Sequence, residues 1–96
     1  MAALLIADIE VTDAARYAEY QRRVPEYVAA YDGRFIVRGG SSVTLEGAWQ
    51  THRMVVIEFP SMARLYAFYD SAEYAALKSL RMQASDARMI AVDEAE

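Results

Sequence analysis

Along this 96-residue chain the apolar spacing switches between a period of two and one near 3.6, and the order of the switches restricts the fold more than any other feature. Ala3 to Val11 is short and rich in Leu, Ile and Val, as a strand requires. Tyr17, Tyr20, Val24, Tyr27, Val28 and Tyr31 then recur at steps of three and four, which puts them on one face of a helix. Thr12 or Asp13 supplies a short side-chain oxygen to cap its start. Pro25 falls inside the pattern and is expected to kink or divide the helix, because it has no N–H to donate. Gly33 is placed to end it in a left-handed turn. Phe35 to Arg38 reads as a strand closed by Gly39-Gly40, Val43 to Glu46 as a short strand, and Arg53 to Phe59 as the clearest strand in the chain. Pro60 stops it and Ser61 can cap a second helix. Met62, Leu65, Tyr66 and Tyr69 make its stripe, which Asp70 and Ser71 interrupt. Tyr74, Leu77, Leu80, Arg81 and Ala84 make another, which Asp86 ends. Ala87 to Val92 is the last strand, and Asp93 to Glu96 is an acidic tail expected to fray.

With Val43 to Glu46 set aside as a hairpin elaboration, the order is βαββαβ. That is the ferredoxin-like arrangement, an α+β fold with helices on one face of an antiparallel sheet. Strand side chains alternate between faces. Leu5, Ala7, Ile9 and Val11 share one side of the first strand; Leu4, Ile6, Asp8 and Glu10 share the other. Arg53, Val55, Ile57 and Phe59 oppose Met54, Val56 and Glu58, and Met89 and Ala91 oppose Ile90 and Val92. The second face is therefore partly apolar, with Asp8, Glu10, Glu58 and either Arg34 and Arg38 or their neighbours as its charges. Left bare, it would expose a large apolar patch. A second copy packed sheet to sheet about a twofold axis would cover it, making a dimeric α/β barrel with a cavity between the sheets.

Composition agrees. Apolar residues make up 55% of the chain, a surplus for one domain spanning residues 1–96. There is no cysteine, which excludes disulfides, thiol nucleophiles and thiolate metal sites. The run Met1 to Ala7 is far short of the ~20 residues a membrane span needs, and it lacks the basic start of a secretory signal. A cytoplasmic location is expected. The net charge of −4 weighs against nucleic acid and anionic membranes as partners. One histidine and scattered carboxylates give no metal-ligand spacing, so neither metal nor cofactor is expected.

Few residues carry chemistry. Arg38, beside Gly39-Gly40, can clamp a carboxylate in a bidentate way, or can form a salt bridge with Asp8 or Glu58. Asp8 and Glu58, with Glu10, can act as an acid/base pair in an apolar cavity, where burial raises a carboxyl pKa. They can equally pair with Arg34 or Arg38 across a dimer. His52 is the only side chain whose ordinary pKa lies near neutrality, so it is a third candidate base. Ser41 and Ser42 have no visible base partner. Seven Tyr, three Phe and one Trp mostly fall on helical stripes, where they form core first. Tyr17, Tyr20, Tyr66, Phe68, Tyr69 and Trp49 are the candidates to line an aromatic pocket between helices and sheet, with Tyr74 as a further ligand candidate.

The run Gly33-Arg34-Phe35-Ile36-Val37-Arg38-Gly39-Gly40 resembles the G-R-F-x-V-R-G-G motif of the domain-of-unknown-function 1330 family. Leu45-Glu46-Gly47-x-Trp49 followed by Arg53 to Ser61 resembles it too, as do Tyr69-Asp70-Ser71-x-Glu73-Tyr74, Leu77 and Arg81. Tyr17-x-x-Tyr20 and Pro25 fit its first helix. The resemblance implies a dimeric α/β barrel of ferredoxin-like subunits and supplies no reaction. Proteins on that fold include cofactor-free monooxygenases, isomerases and stress-responsive proteins. Two departures stand out. Thr51-His52 replaces a proline-bearing loop, and Phe68-Tyr69 replaces a Trp-Tyr pair. The positions the resemblance carries over without a role are Arg38, Glu58, Trp49, Tyr69 and Tyr74. It leaves two functions as expectations. One is a homodimer that binds or acts on a small carboxylate or aromatic molecule by cofactor-free acid/base chemistry. The other is a non-catalytic dimeric binding or structural module.

Overall fold

The computed structural model describes residues 2–94. Its elements are β1 (Ala3–Val11), α1 (Ala14–Ala30), β2 (Arg34–Arg38), β3 (Arg53–Phe59), α2 (Met62–Tyr69), α3 (Ala72–Ala84) and β4 (Ser85–Asp93). The four strands form one antiparallel sheet in the order β2-β3-β1-β4. This is the ferredoxin-like βαββαβ α+β fold. All three helices start on a side-chain cap: Asp13, Ser61 and Ser71 accept from the backbone N–H of Arg16, Arg64 and Tyr74.

Four expectations need correction. Val43 to Glu46 is not a strand but part of an exposed loop, because Val43 and Leu45 find nothing to pack against. Helix α1 runs unbroken through Pro25. The left-handed residue after α1 is Asp32, with φ 65°, and not Gly33. Gly33 is required there for space: a Cβ would lie 2.6 Å from Cε1 of Phe59 and 2.8 Å from Cγ1 of Val28. Asp93 is held in β4, and the backbone N–H of Glu94 bonds the carbonyl of Ala2 at 2.9 Å, so the tail is tied down that far. The rest of the expected fraying, at residues 95–96, lies outside the described residues.

The core sits between the helices and one face of the sheet. Leu5, Ala7, Ile9, Val55, Ile57 and Phe59 project into it from the strands, and Tyr17, Tyr20, Val24, Val28, Leu65, Phe68, Tyr74 and Leu77 from the helices. The opposite face carries Leu4, Ile6, Met54, Val56, Ile90 and Val92 and no helix; Ile90 is 61% exposed. In β2 the alternation breaks. A bulge between Phe35 and Val37 pairs Arg34 with Glu58 and Val37 with Val56, but Phe35 with Ile57 and Arg38 with Val55. Arg34 and Arg38 therefore point to opposite faces, where strict alternation would put them on the same one.

Candidate functional site

The residues with chemical potential separate onto the two faces of the sheet. On the helix side, Tyr17, Tyr20 and Gln21 of α1, Arg38 of β2, Arg53 of β3 and Tyr74 of α3 line a cavity of about 30 Å³. That is room for a couple of water molecules in its present shape. Arg38 reaches the cavity because the bulge turns it inward. Arg53 reaches it because it occupies an inward position in the same register as Val55, Ile57 and Phe59.

Arg38 has a partner because of Pro25. A helix carbonyl normally accepts from the N–H four residues on. Position 25 has none, so the carbonyl of Gln21 is left open, and Nη2 of Arg38 donates to it at 2.9 Å. The guanidinium also stands 4.7 Å from the centre of the Phe35 ring. The helix survives its proline because β2 supplies the missing donor. Neither Asp8 nor Glu58 meets Arg38: the Glu58 carboxylate takes Nε of Arg34 at 2.8 Å instead.

Arg53 lies 5.8 Å from the centre of the Tyr17 ring, and its buried Nε has no hydrogen-bond partner among the described residues. Its guanidinium packs against Gly39, where φ is 74° and a Cβ would overlap Nη1. Gly39 thus serves twice, as a left-handed turn and as the floor under a cation. Neither Arg38 nor Arg53 forms an ion pair among the described residues. Deeper in the cavity the hydroxyls of Tyr20 and Tyr74 are hydrogen-bonded at 2.7 Å. Burial pushes the Tyr20 hydroxyl pKa up, and the adjacent Tyr74 adds to the rise, so Tyr20 is a neutral phenol.

On the open face, Asp8 of β1 is buried under the loop that joins β2 to β3. The indole Nε1 of Trp49 donates to it at 3.1 Å and the backbone N–H of His52 at 2.9 Å. His52 places Nδ1 3.5 Å from Asp8 and Nε2 3.9 Å from Glu10. Burial alone would raise the Asp8 pKa, in line with the sequence expectation. The hydrogen bonds from His52 and Trp49 and the charge of His52 outweigh it and hold the carboxyl below its ordinary value. Asp8 is thus a settled anion that fastens a loop.

The structure brings Arg38, Tyr17, Tyr20 and Tyr74 together. It gathers Asp8, His52 and Trp49 separately, on the opposite face. Glu58 is in neither group: it pairs with Leu4 in the ladder while Asp8 pairs with Met54. Four residues of strand, about 13 Å along the backbone, therefore separate the two positions. Tyr69 stands beside the cavity, its ring 6.3 Å from that of Tyr74 and capped by Nζ of Lys78 at 4.0 Å. Sequence reasoning does not find Arg53 and Gln21 as site residues. A charged side chain in the inward register of β3 was the available signal for the first. Among the described residues no group of three or more His, Asp or Glu is arranged to hold a metal ion, and no helix is long and apolar enough to cross a membrane.

The sequence pattern of one family matches residues 2–95, nearly the whole chain. The chain belongs to the domain-of-unknown-function family DUF1330. No curated protein matches this DUF1330 member in sequence. Among solved structures it is similar to a protein of unknown function from Rhodopseudomonas palustris, with 18% identity, a TM-score of 0.78, and coverage of 99% of this chain and 83% of that one. It is also similar to a dimeric ferredoxin-like protein of unknown function from Thermobifida fusca, with 16% identity, a TM-score of 0.65, and coverage of 97% and 91%. A third is SnoaB, a cofactor-independent oxygenase from Streptomyces nogalater, with 9% identity, a TM-score of 0.64, and coverage of 99% and 94%. At these identities the likeness is one of fold.

Proposed function

We propose that this DUF1330 member is a homodimer whose helix–sheet cavity, with room for only a couple of waters as it stands, widens to take a small aromatic carboxylate. One observation carries the ligand reading: Arg38 and Arg53 line a tyrosine-walled cavity, and neither is paired with a carboxylate among the described residues. Two neighbouring cations repel each other, and an anion between them relieves that repulsion. The phenolic and apolar walls suit a ring, and a guanidinium suits a carboxylate. Benzoate is a direct probe. A ligand at 100 times its dissociation constant stabilises the native state by about 2.7 kcal/mol, or about 10 °C or more in Tm for a domain of this size. Benzoate is expected to raise the Tm of the wild type and not that of Arg53→Gln. Equal shifts in both proteins would remove the anion site.

The dimer is supported by the open sheet face and by the fold's likeness to the dimeric Thermobifida fusca protein. The chain is a slab of 34 × 31 × 17 Å with helices on one broad side only. Wild type is expected to sediment at twice the 10.8 kDa chain mass. Ile90→Asp is expected to sediment at the chain mass, since it places a charge on the apolar face beside Ile6. A folded wild type that sediments as a monomer at micromolar concentration would overturn this.

The non-catalytic reading has its own support. Asp8, His52 and Glu58, the acid/base candidates, stand across the sheet from the cavity, and two of them fasten a loop. Any acid/base chemistry in the cavity would fall to its own tyrosines.

A further inference from the structure

Arg81 is only 4% exposed, yet no carboxylate answers its charge among the described residues. Helix α3 turns it inward with Tyr74, Leu77 and Ala84, and its buried Nε has no hydrogen-bond partner. It stands in the last turn of the helix, where the backbone dipole favours a cation. That effect is small beside the cost of taking an unpaired guanidinium out of water. Lys78, one turn earlier on the same face, is a second cation without an ion pair among the described residues. Its Nζ donates to the carbonyl of Tyr69 at 3.0 Å and caps that ring.

Arg81 borders a pocket of about 370 Å³, with Tyr69, Met82, Ala87 and Met89 in the same wall. The pocket forms because α3 passes straight into β4 at Ser85 and β4 is an edge strand, so the sheet does not continue past it. Ala87 and Met89 pair with Ile9 and Ala7, whose side chains enter the core. The pocket therefore opens on the helix side, clear of the face proposed for the dimer. Ser85 also borders it, but its hydroxyl donates to the carbonyl of Arg81 at 2.7 Å. Asp86 borders it too; it pairs with Glu10 in the ladder, and alternation sends its carboxylate to the open face.

We infer that this pocket is a second small-molecule site, which takes the carboxylate of a short aliphatic acid on Arg81 and its chain against Met82, Ala87 and Met89. A guanidinium matches the two oxygens of a carboxylate, and a bound anion supplies the charge that folding leaves unanswered. The volume of about 370 Å³ falls in the range of small-molecule sites, about 300–1,000 Å³. The methionines, soft and unbranched, conform readily to a flexible chain. The site goes beyond the helix–sheet cavity: the two linings share only Met89, and neither Arg38 nor Arg53 borders this one.

Hexanoate is the probe, titrated calorimetrically into the whole protein at constant ionic strength. Beside it stand 1-hexanol, the chain without the charge, and inorganic phosphate, the charge without the chain. Hexanoate is expected to bind at least about tenfold more tightly than either. Arg81→Met is expected to fold, since an apolar side chain of similar volume replaces a buried charge at little cost, and to lose at least about tenfold in hexanoate affinity. Met82 is 58% exposed on the rim, so substitutions there leave the core alone. Met82→Glu is expected to bind hexanoate at least about threefold more weakly than Met82→Gln, because it presents a carboxylate of its own to Arg81. No hexanoate binding by the folded wild type overturns the site. Equal binding of 1-hexanol, undiminished hexanoate binding by Arg81→Met, or equal affinities in the two Met82 variants overturns it as well.

Discussion

Phe68→Ala is expected to destabilise the protein by about 3–5 kcal/mol, the cost of emptying a fully packed aromatic site. Phe68 is 1% exposed and is the hinge of the aromatic core. Its ring centre lies 4.4 Å from that of Tyr74, 5.3 Å from that of Phe59 and 6.3 Å from that of Tyr31. One side chain thus joins α2 to the C-cap of α1, to α3 and to β3, and its neighbours are held by other elements that cannot all close on the gap. Against a typical total stability of about 5–15 kcal/mol the loss is a large fraction. Tyr66→Ala is the control: it is on the same helix and is 54% exposed. Its effect is expected to fall within about 0.5 kcal/mol. Urea unfolding at one fixed protein concentration, with the slope compared between variants, measures both. A Phe68→Ala loss below about 1 kcal/mol would show that this aromatic cluster does not hold the layers together.

The second large effect is a coupling. Arg38→Met is expected to cost about 1–2 kcal/mol, because it strips the Gln21 carbonyl of its donor. In a Pro25→Ala background residue 25 has an N–H of its own, which can take that carbonyl in the ordinary helical pattern. Arg38→Met is then expected to cost little. The double-mutant cycle over the two sites isolates the term. A cost for Arg38→Met that is the same in both backgrounds would mean that Arg38 acts elsewhere. The cycle also separates two roles for this arginine. Benzoate protection lost in Arg38→Met but kept in Pro25→Ala would show a ligand contact beyond the helix bond.

The family resemblance and the fold were legible in the sequence, and for one physical reason. Strand and helix periods are local, and so are caps such as Ser61 and Ser71. The apolar second face of β1 was equally legible, since the alternation of Leu4 and Ile6 with Leu5 and Ala7 needs no knowledge of what they touch. The site was only partly so. Of the expected ligand residues, Arg38, Tyr17, Tyr20 and Tyr74 line one cavity, whereas Trp49 and Tyr69 do not. Of the acid/base set, the fold brings Asp8 and His52 together and parts Glu58 from both, and it puts all three across the sheet from the cavity.

By itself, then, the sequence determined the element order, the inward stripes of α1 and α3 and the two-faced sheet, because each depends on backbone geometry within a few residues; in α2 the expected stripe was wrong, since Phe68 is buried there and Tyr66 exposed. Only the tertiary structure decided where the charges went. The bulge in β2 moved Arg38 to the helix side, across the sheet from Arg34. The β2–β3 loop carried Trp49 and His52 back over Asp8. The gap at Pro25 was filled by a residue 13 positions further on. Each of these is a bond between segments distant in sequence. A single bulge shifts the alternation of everything after it, so local periodicity cannot foresee them.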